Sequence, residues 1–207
     1  MSRPRLMEQL GLQGVIHIWG KAGVGKTLLA SKIASNESRF AKVEWINTDA
    51  KQSFIPHLRR NIVSENGIIE NITVTMVTDR QAIKETIESL NDVLNSDVSL
   101  VIIDSITRLL DMARRDPTLW GRELIEEALP TLAGIVSRRG VSVIVTSESR
   151  SIDEKKTLAV HYKTIAKWSD YDIQLVRNIH SGSSQIIRCE NGDSQIGTLD
   201  LLENRVM

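Results

Sequence analysis

Five short apolar runs recur along the first three quarters of the chain: Val15–Trp19, Val43–Thr48, Ile72–Val77, Leu100–Ile103 and Val141–Thr146. Segments of helical spacing separate them: Thr27–Ser35, Phe54–Ile62, Asp79–Leu94 and Trp120–Arg139. In the third of these, Ile83, Ile87 and Leu90 fall on one face and charged residues on the other, the stripe of a 3.6-residue repeat. Val/Ile-rich runs without polar alternation mark strands buried on both faces. Their alternation with amphipathic helices predicts an α/β fold with a mainly parallel, twisted sheet covered on both sides. Past residue 170 the pattern changes. Tyr171–Ile179, Gln185–Cys189 and Gln195–Leu201 read as short strands, separated by the turn signals Ser181-Gly182-Ser183 and Asn191-Gly192-Asp193. The sheet is therefore expected to end in antiparallel strands. Ser149–Trp168 is polar and aperiodic, and reads as a long functional or mobile loop. With no repeat and no linker-like tract, residues 1–207 form one expected domain, with 1–13 as an N-terminal extension.

Composition narrows the functional classes. Lys plus Arg and Asp plus Glu both number 26, so a wholly basic coat for nucleic acid is excluded. Aromatic residues are only 4% of the chain, which leaves the core to Ile, Val and Leu. Cys189, the single cysteine, cannot form an intramolecular disulfide and is expected to be buried and inert in a strand. No stretch has the length of apolar sequence that a membrane span requires, and Met1–Gln13 does not read as a signal peptide, so a cytoplasmic protein is expected.

Gly20-Lys21-Ala22-Gly23-Val24-Gly25-Lys26-Thr27 matches G-x-x-x-x-G-K-[ST] in full. It follows an expected strand and opens an expected helix, the context in which such a loop cradles phosphates through backbone N–H groups. The nucleotide-binding set is therefore Gly20 through Thr27 together with Leu28. Lys26 is assigned to the β- and γ-phosphates and Thr27 to Mg²⁺, with ATP as the nucleotide. Leu100-Val101-Ile102-Ile103-Asp104 ends an apolar strand on a carboxylate, so Asp104 is the second Mg²⁺ residue. His17, inside an apolar run, reads as a satisfied core residue, and the four histidines show no metal-ligand spacing.

Several further segments resemble the RecA/RadA recombinase family. LVIIDSITRLLD at Leu100–Asp111 is similar to the segment around that family's second nucleotide motif. Trp45-Ile46-Asn47-Thr48-Asp49, with Phe54 and Pro56 downstream, resembles its "Tyr-Ile-Asp-Thr-Glu … Phe-x-Pro" run. Gly140-Val141 followed by an apolar strand and Thr146-Ser147-Glu148 stands where the family has Thr-Asn-Gln. The resemblance runs from about Val15 to the end, and is greatest to short, core-only archaeal RadA paralogues of the RadB/RadC type. It implies a RecA-like P-loop NTPase core acting in recombinational DNA repair alongside a main RadA-type recombinase.

By position, the resemblance assigns the polarisation of the attacking water to Asp49, with a strand-end cap as its structural alternative. Asp49 is one methylene shorter than the family's glutamate, and Glu148 replaces a neutral sensor amide. Catalysis is accordingly assigned to Lys26, Asp49 and Glu148, with slow hydrolysis expected. No polymerisation peptide with its Phe is evident in Met1–Gln13, so filament assembly is not expected, and a homo-oligomer is left open.

The family places single-stranded DNA against two loops. Their counterparts hold Arg108, Arg114, Arg115 and Arg122 in the first, and Arg150, Lys155, Lys156, His161, Lys163 and Lys167 in the second. Cations beside Tyr162 suit phosphates and stacked bases, although Asp111, Asp116, Asp153 and Glu154 dilute both segments. The alternative is a KaiC-like or archaellum-type ATP-binding regulator that acts through protein partners and needs no such loops.

Overall fold

A computed structural model describes residues 4–49, 52–109, 122–151, 157–178, 180–189, 192–201 and 205–207. The parallel part of the sheet comprises β1 (Val15–Gly20), β2 (Lys42–Asn47), β3 (Ile72–Met76), β4 (Val98–Asp104), β5 (Ser142–Ser151) and β7 (Tyr171–Asn178). An antiparallel series, β8 (Ser183–Arg188), β9 (Ser194–Asp200) and β10 (Arg205–Val206), continues it beyond β7. The spatial order is β10-β9-β8-β7-β1-β5-β4-β2-β3. β1 pairs in parallel with both β5 and β7 and so lies in the interior of the sheet. The expected α/β architecture with C-terminal antiparallel strands is present.

The alternation of side chains along each strand divides the core in two. Ile16, Ile18, Trp45, Ile102 and Ile144 pack towards α2 (Lys26–Glu37) and α3 (Ile55–Glu65). Val101, Ile103, Val143 and Val145 pack towards α4 (Arg80–Val93) and α5 (Arg122–Arg139). Ile83, Ile87 and Leu90 of α4 are buried as their spacing requires, and Asp79 caps that helix by accepting from the Ala82 N–H at 3.0 Å.

Two segments depart from the sequence reading. Residues 149–168 are not a plain loop. β5 runs on to Ser151 and pairs antiparallel with β6 (Thr157–Ala159), and α6 (Tyr162–Ala166) follows. Among the described residues of this segment, Ala159, Val160 and Ile165 are the buried apolar ones, too few to set a period. The N-terminal segment also folds back on the core. Leu6 and Met7 of α1 (Leu6–Gln9), with Leu10 and Leu12, are buried, and the Leu6 N–H donates to Asn36 Oδ1 at 2.8 Å. No helix among the described residues is long and apolar enough to cross a membrane.

Candidate functional site

The phosphate loop leaves the C-terminal end of β1. From there the chain crosses β5 and β4 to reach β2, while β7 lies on the other side of β1. Such a reversal of direction opens a crevice beyond the strand ends. Gly20 and Gly25 are fixed here by sterics. A Cβ on Gly20 would stand 2.6 Å from the Leu175 carbonyl oxygen, and one on Gly25 (φ +97°) would stand 2.7 Å from the Leu201 side chain. Ser184 Oγ donates to the Val24 carbonyl at 2.8 Å and Arg177 to that of Gly23 at 3.3 Å, so the antiparallel strands brace the loop from behind. Lys21, Ala22 and Gly23 are open to solvent at the crest. Val24 and Leu28 are buried in the core, which leaves Leu28 only its main chain to offer a ligand.

Lys26 Nζ donates to the carbonyls of Gly20 (3.0 Å) and Lys21 (3.1 Å), spanning the loop it serves. Burial lowers its pKa, while the nearby Glu148 and Asp104 carboxylates oppose that shift. Asp104 is the last residue of β4 and is buried. It accepts from Thr146 Oγ1 at 2.5 Å and is also hydrogen-bonded by the Thr27 hydroxyl. Burial raises its carboxyl pKa, against these two hydroxyls and Lys26. A buried carboxylate beside a threonine hydroxyl is a hard-oxygen donor set that fits Mg²⁺. Among the described residues, no cluster of three His, Cys, Asp or Glu side chains offers a different metal site.

Asp49 is held against this pair by a brace between strand ends. Thr48 Oγ1 donates to the Ser105 carbonyl and accepts from the Ser105 N–H, both at 2.8 Å. Lys26, Thr27, Asp49, Asp104, Arg108 and Glu148 thus line one cleft of about 240 Å³. Arg108, expected among the DNA contacts, also lines this cleft, with its guanidinium 3.4 Å from Asp49 Oδ2. A tight 3-10 turn at Ile106–Leu109, directly after Asp104, folds it back.

The other expected DNA residues separate. Arg114 and Arg115, and Lys155 and Lys156, lie outside the described residues. Arg122, Lys163, Lys167 and Trp168 share a groove of about 400 Å³, with Lys167 Nζ 5.9 Å from the centre of the Trp168 ring. Arg122 is also hydrogen-bonded to Glu126 at 2.7 Å. Arg150 belongs to the same positive region. Burial lowers the His161 pKa, and the charges of Arg122 and Arg150 add to that effect.

The sequence reading missed two features. One is Thr146 as a partner of Asp104. The other is a fully buried chain across three strands: His17 Nδ1 meets Asp172 Oδ1 at 2.7 Å, and His17 Nε2 meets Ser147 Oγ at 2.7 Å. His17 is thus the satisfied core residue expected of it, and the alternation of β1 places it on the face opposite Ile16 and Ile18. Cys189 is corrected from buried to half-buried, just past β8, and its thiol is pushed up to about 12 by burial and by the Asp172 and Asp193 carboxylates.

The comparisons agree on the class of fold. The chain is similar to the crystal structure of the RadB recombinase, with a TM-score of 0.75 at 16% identity over 100% of this chain and 98% of that one. It is similar to a second solved structure, an ATPase domain, with a TM-score of 0.65 at 14% identity over 94% of this chain and 84% of that one. At these identities the likeness is one of fold. No curated protein matches the sequence. The NB-ARC domain matches residues 3–165, a span that holds the phosphate loop, Asp49, Asp104 and Glu148. The chain therefore belongs to the NB-ARC domain family of P-loop NTPases.

Proposed function

We propose that this protein is an ATP-binding, slowly hydrolysing ATPase core that binds single-stranded DNA and modulates a main RadA-type recombinase in DNA repair. The observation that carries the reading is the course of β5. It brings Thr146 and Glu148 to the nucleotide cleft and, two residues on, Arg150 to the basic region around α6. Nucleotide and nucleic acid would thereby act on one rigid strand.

In hydrolysis, Asp49 orients a water for in-line attack on the γ-phosphorus, the bond from that phosphorus to the bridging oxygen breaks, and ADP leaves with its electrons. Lys26 exchanges its loop carbonyls for β- and γ-phosphate oxygens. Thr27 and Asp104 would hold Mg²⁺, which neutralises phosphate charge when bound. Arg108 competes with water for Asp49, in keeping with slow turnover.

Arg108 is also the cation placed to favour a third phosphate. A charge-assisted hydrogen bond is worth about 1.5–3 kcal/mol, and 1.4 kcal/mol corresponds to a factor of ten. Arg108→Ala is therefore expected to weaken ATP at least about tenfold while leaving ADP unchanged, as read by competition against a fluorescent nucleotide. An unchanged ATP-to-ADP ratio would confine Arg108 to bracing Asp49.

The DNA reading is tested by anisotropy of a labelled oligothymidylate. Affinity should fall linearly with salt on a log–log plot, and each cation removed from a phosphate contact should lower the slope by about 0.7. Arg150→Ala and Lys163→Ala are the substitutions to make. Absence of binding at low salt, with and without ATP, overturns it. A second reading, an ATP-gated regulator acting through protein partners, is favoured by the Asp49–Arg108 pair, which gives the water-orienting carboxylate a competing partner. That reading predicts no oligonucleotide binding.

A further inference from the structure

A larger cavity, of about 670 Å³, lies on the other side of the phosphate loop and shares no lining residue with the nucleotide cleft. Its size is that of a small-molecule site. The inner wall is aromatic: Trp19 and Tyr162 meet edge to face with ring centres 5.7 Å apart. Trp19 is only 3% exposed, yet its indole N–H has no hydrogen-bond partner among the described residues. A buried donor left unmatched costs about 1–3 kcal/mol, which a ligand acceptor would recover.

The polar groups are sorted by wall. Lys21 and Arg177 stand on the phosphate-loop side, where Arg177 also holds the Gly23 carbonyl. Asp193 stands on the Cys189 side, near the thiol, which donates to the Ile187 carbonyl at 3.8 Å. Gln174, on β7 between the walls, offers both a donor and an acceptor. The matching molecule is flat and aromatic, carries an anion for Lys21 and Arg177, and has a ring acceptor for the indole and an amine for Asp193. Adenine and cytosine nucleotides carry all of these.

We propose that this cavity is a second nucleotide site, taking one amino-bearing nucleoside monophosphate unit, either free or as an unstacked residue of a single strand. The proposal does not rest on the ATPase reading, because a monophosphate lacks the β-phosphate that the loop grips. Arg177 and Val24, which touch both the cavity and the phosphate loop, would let occupancy be felt there.

The test uses the full chain saturated with ADP. AMP, CMP, UMP and a five-residue oligodeoxyadenylate are titrated by calorimetry, and the Trp19 indole N–H resonance is followed by NMR. Saturable binding of AMP and CMP is expected, at least tenfold tighter than UMP, with movement of that resonance. Val176→Trp, which fills the half-open rim, is expected to remove this binding while ADP affinity is kept. If that variant fails to fold, Gln174→Leu serves, with an expected loss of about tenfold. Binding of AMP alone identifies a free nucleotide as the ligand, and binding of the oligonucleotide alone identifies a strand. No binding by either overturns the proposal, as does binding that leaves the Trp19 resonance in place or survives both substitutions.

Discussion

Lys26→Ala is expected to abolish nucleotide hydrolysis, with a loss of at least about 10²–10³ in kcat, the cost of removing one preorganised charge-stabilising group. The reason lies in what surrounds the ammonium. It is partly buried, and Glu148, Asp104 and the carbonyls of Gly20 and Lys21 all turn towards it. Arg108, which also lines the cleft, is paired with Asp49, so Lys26 is the cation that the phosphate loop itself holds for charge developing on the transferring phosphoryl group. Phosphate release from purified protein measures the loss, and a thermal melt shows whether the loop still folds. Lys26→Met, which keeps most of the side-chain volume, separates lost charge from lost packing. Full turnover in a clean preparation of either variant would overturn the site assignment.

The parts of this site that were legible in the sequence are those set by local pattern. The phosphate loop needs glycines where backbone and leucine side chains leave no space, and those glycines have fixed spacing. Asp104 follows an unbroken apolar run because β4 is buried on both faces. The parallel sheet could be anticipated because the Val/Ile runs of β1, β2, β4 and β5 are largely buried on both faces, while β3, at the edge of the sheet, is half exposed. What escaped depended on contacts between distant segments. Arg108 looks like loop charge until a tight turn returns it to Asp49. Thr146 is the polar end of the run Val141–Thr146, and nothing local says that it meets Asp104. The hairpin of β5 and β6 stayed hidden because it pairs only three residues on each strand and mixes polar with apolar side chains, so pairing leaves no periodic trace. The finer resemblance to RadA paralogues rests on order and spacing of segments. The family match establishes a P-loop NTPase, and the structural likenesses establish a fold shared with the RadB recombinase.

The buried chain Ser147–His17–Asp172 is the other place where a single change should act strongly. Its three members lie on adjacent strands β5, β1 and β7 and are almost wholly removed from water. His17→Leu keeps an apolar side chain of similar size under the sheet but takes both ring nitrogens away. The Asp172 carboxylate and the Ser147 hydroxyl then lose their imidazole partner in a medium that cannot replace it with solvent. The expected cost is about 3 kcal/mol, which for a chain of this size lowers the melting temperature by about 6–12 °C. Urea unfolding measures it directly. The double variant His17→Leu/Asp172→Leu distinguishes lost hydrogen bonding from lost shape. Removing both partners of a buried pair is far less costly than removing one, so the double variant should recover part of the stability lost in the single one. A cost below about 0.5 kcal/mol for the single variant, a size ordinary for surface changes, would mean that the network contributes little. Because Ser147 directly precedes Glu148, the same single variant should also loosen β5 where it passes the nucleotide cleft. That loosening should appear as faster hydrogen exchange of the Ser147 and Glu148 amides, while the amides of β3, at the far edge of the sheet, stay unchanged.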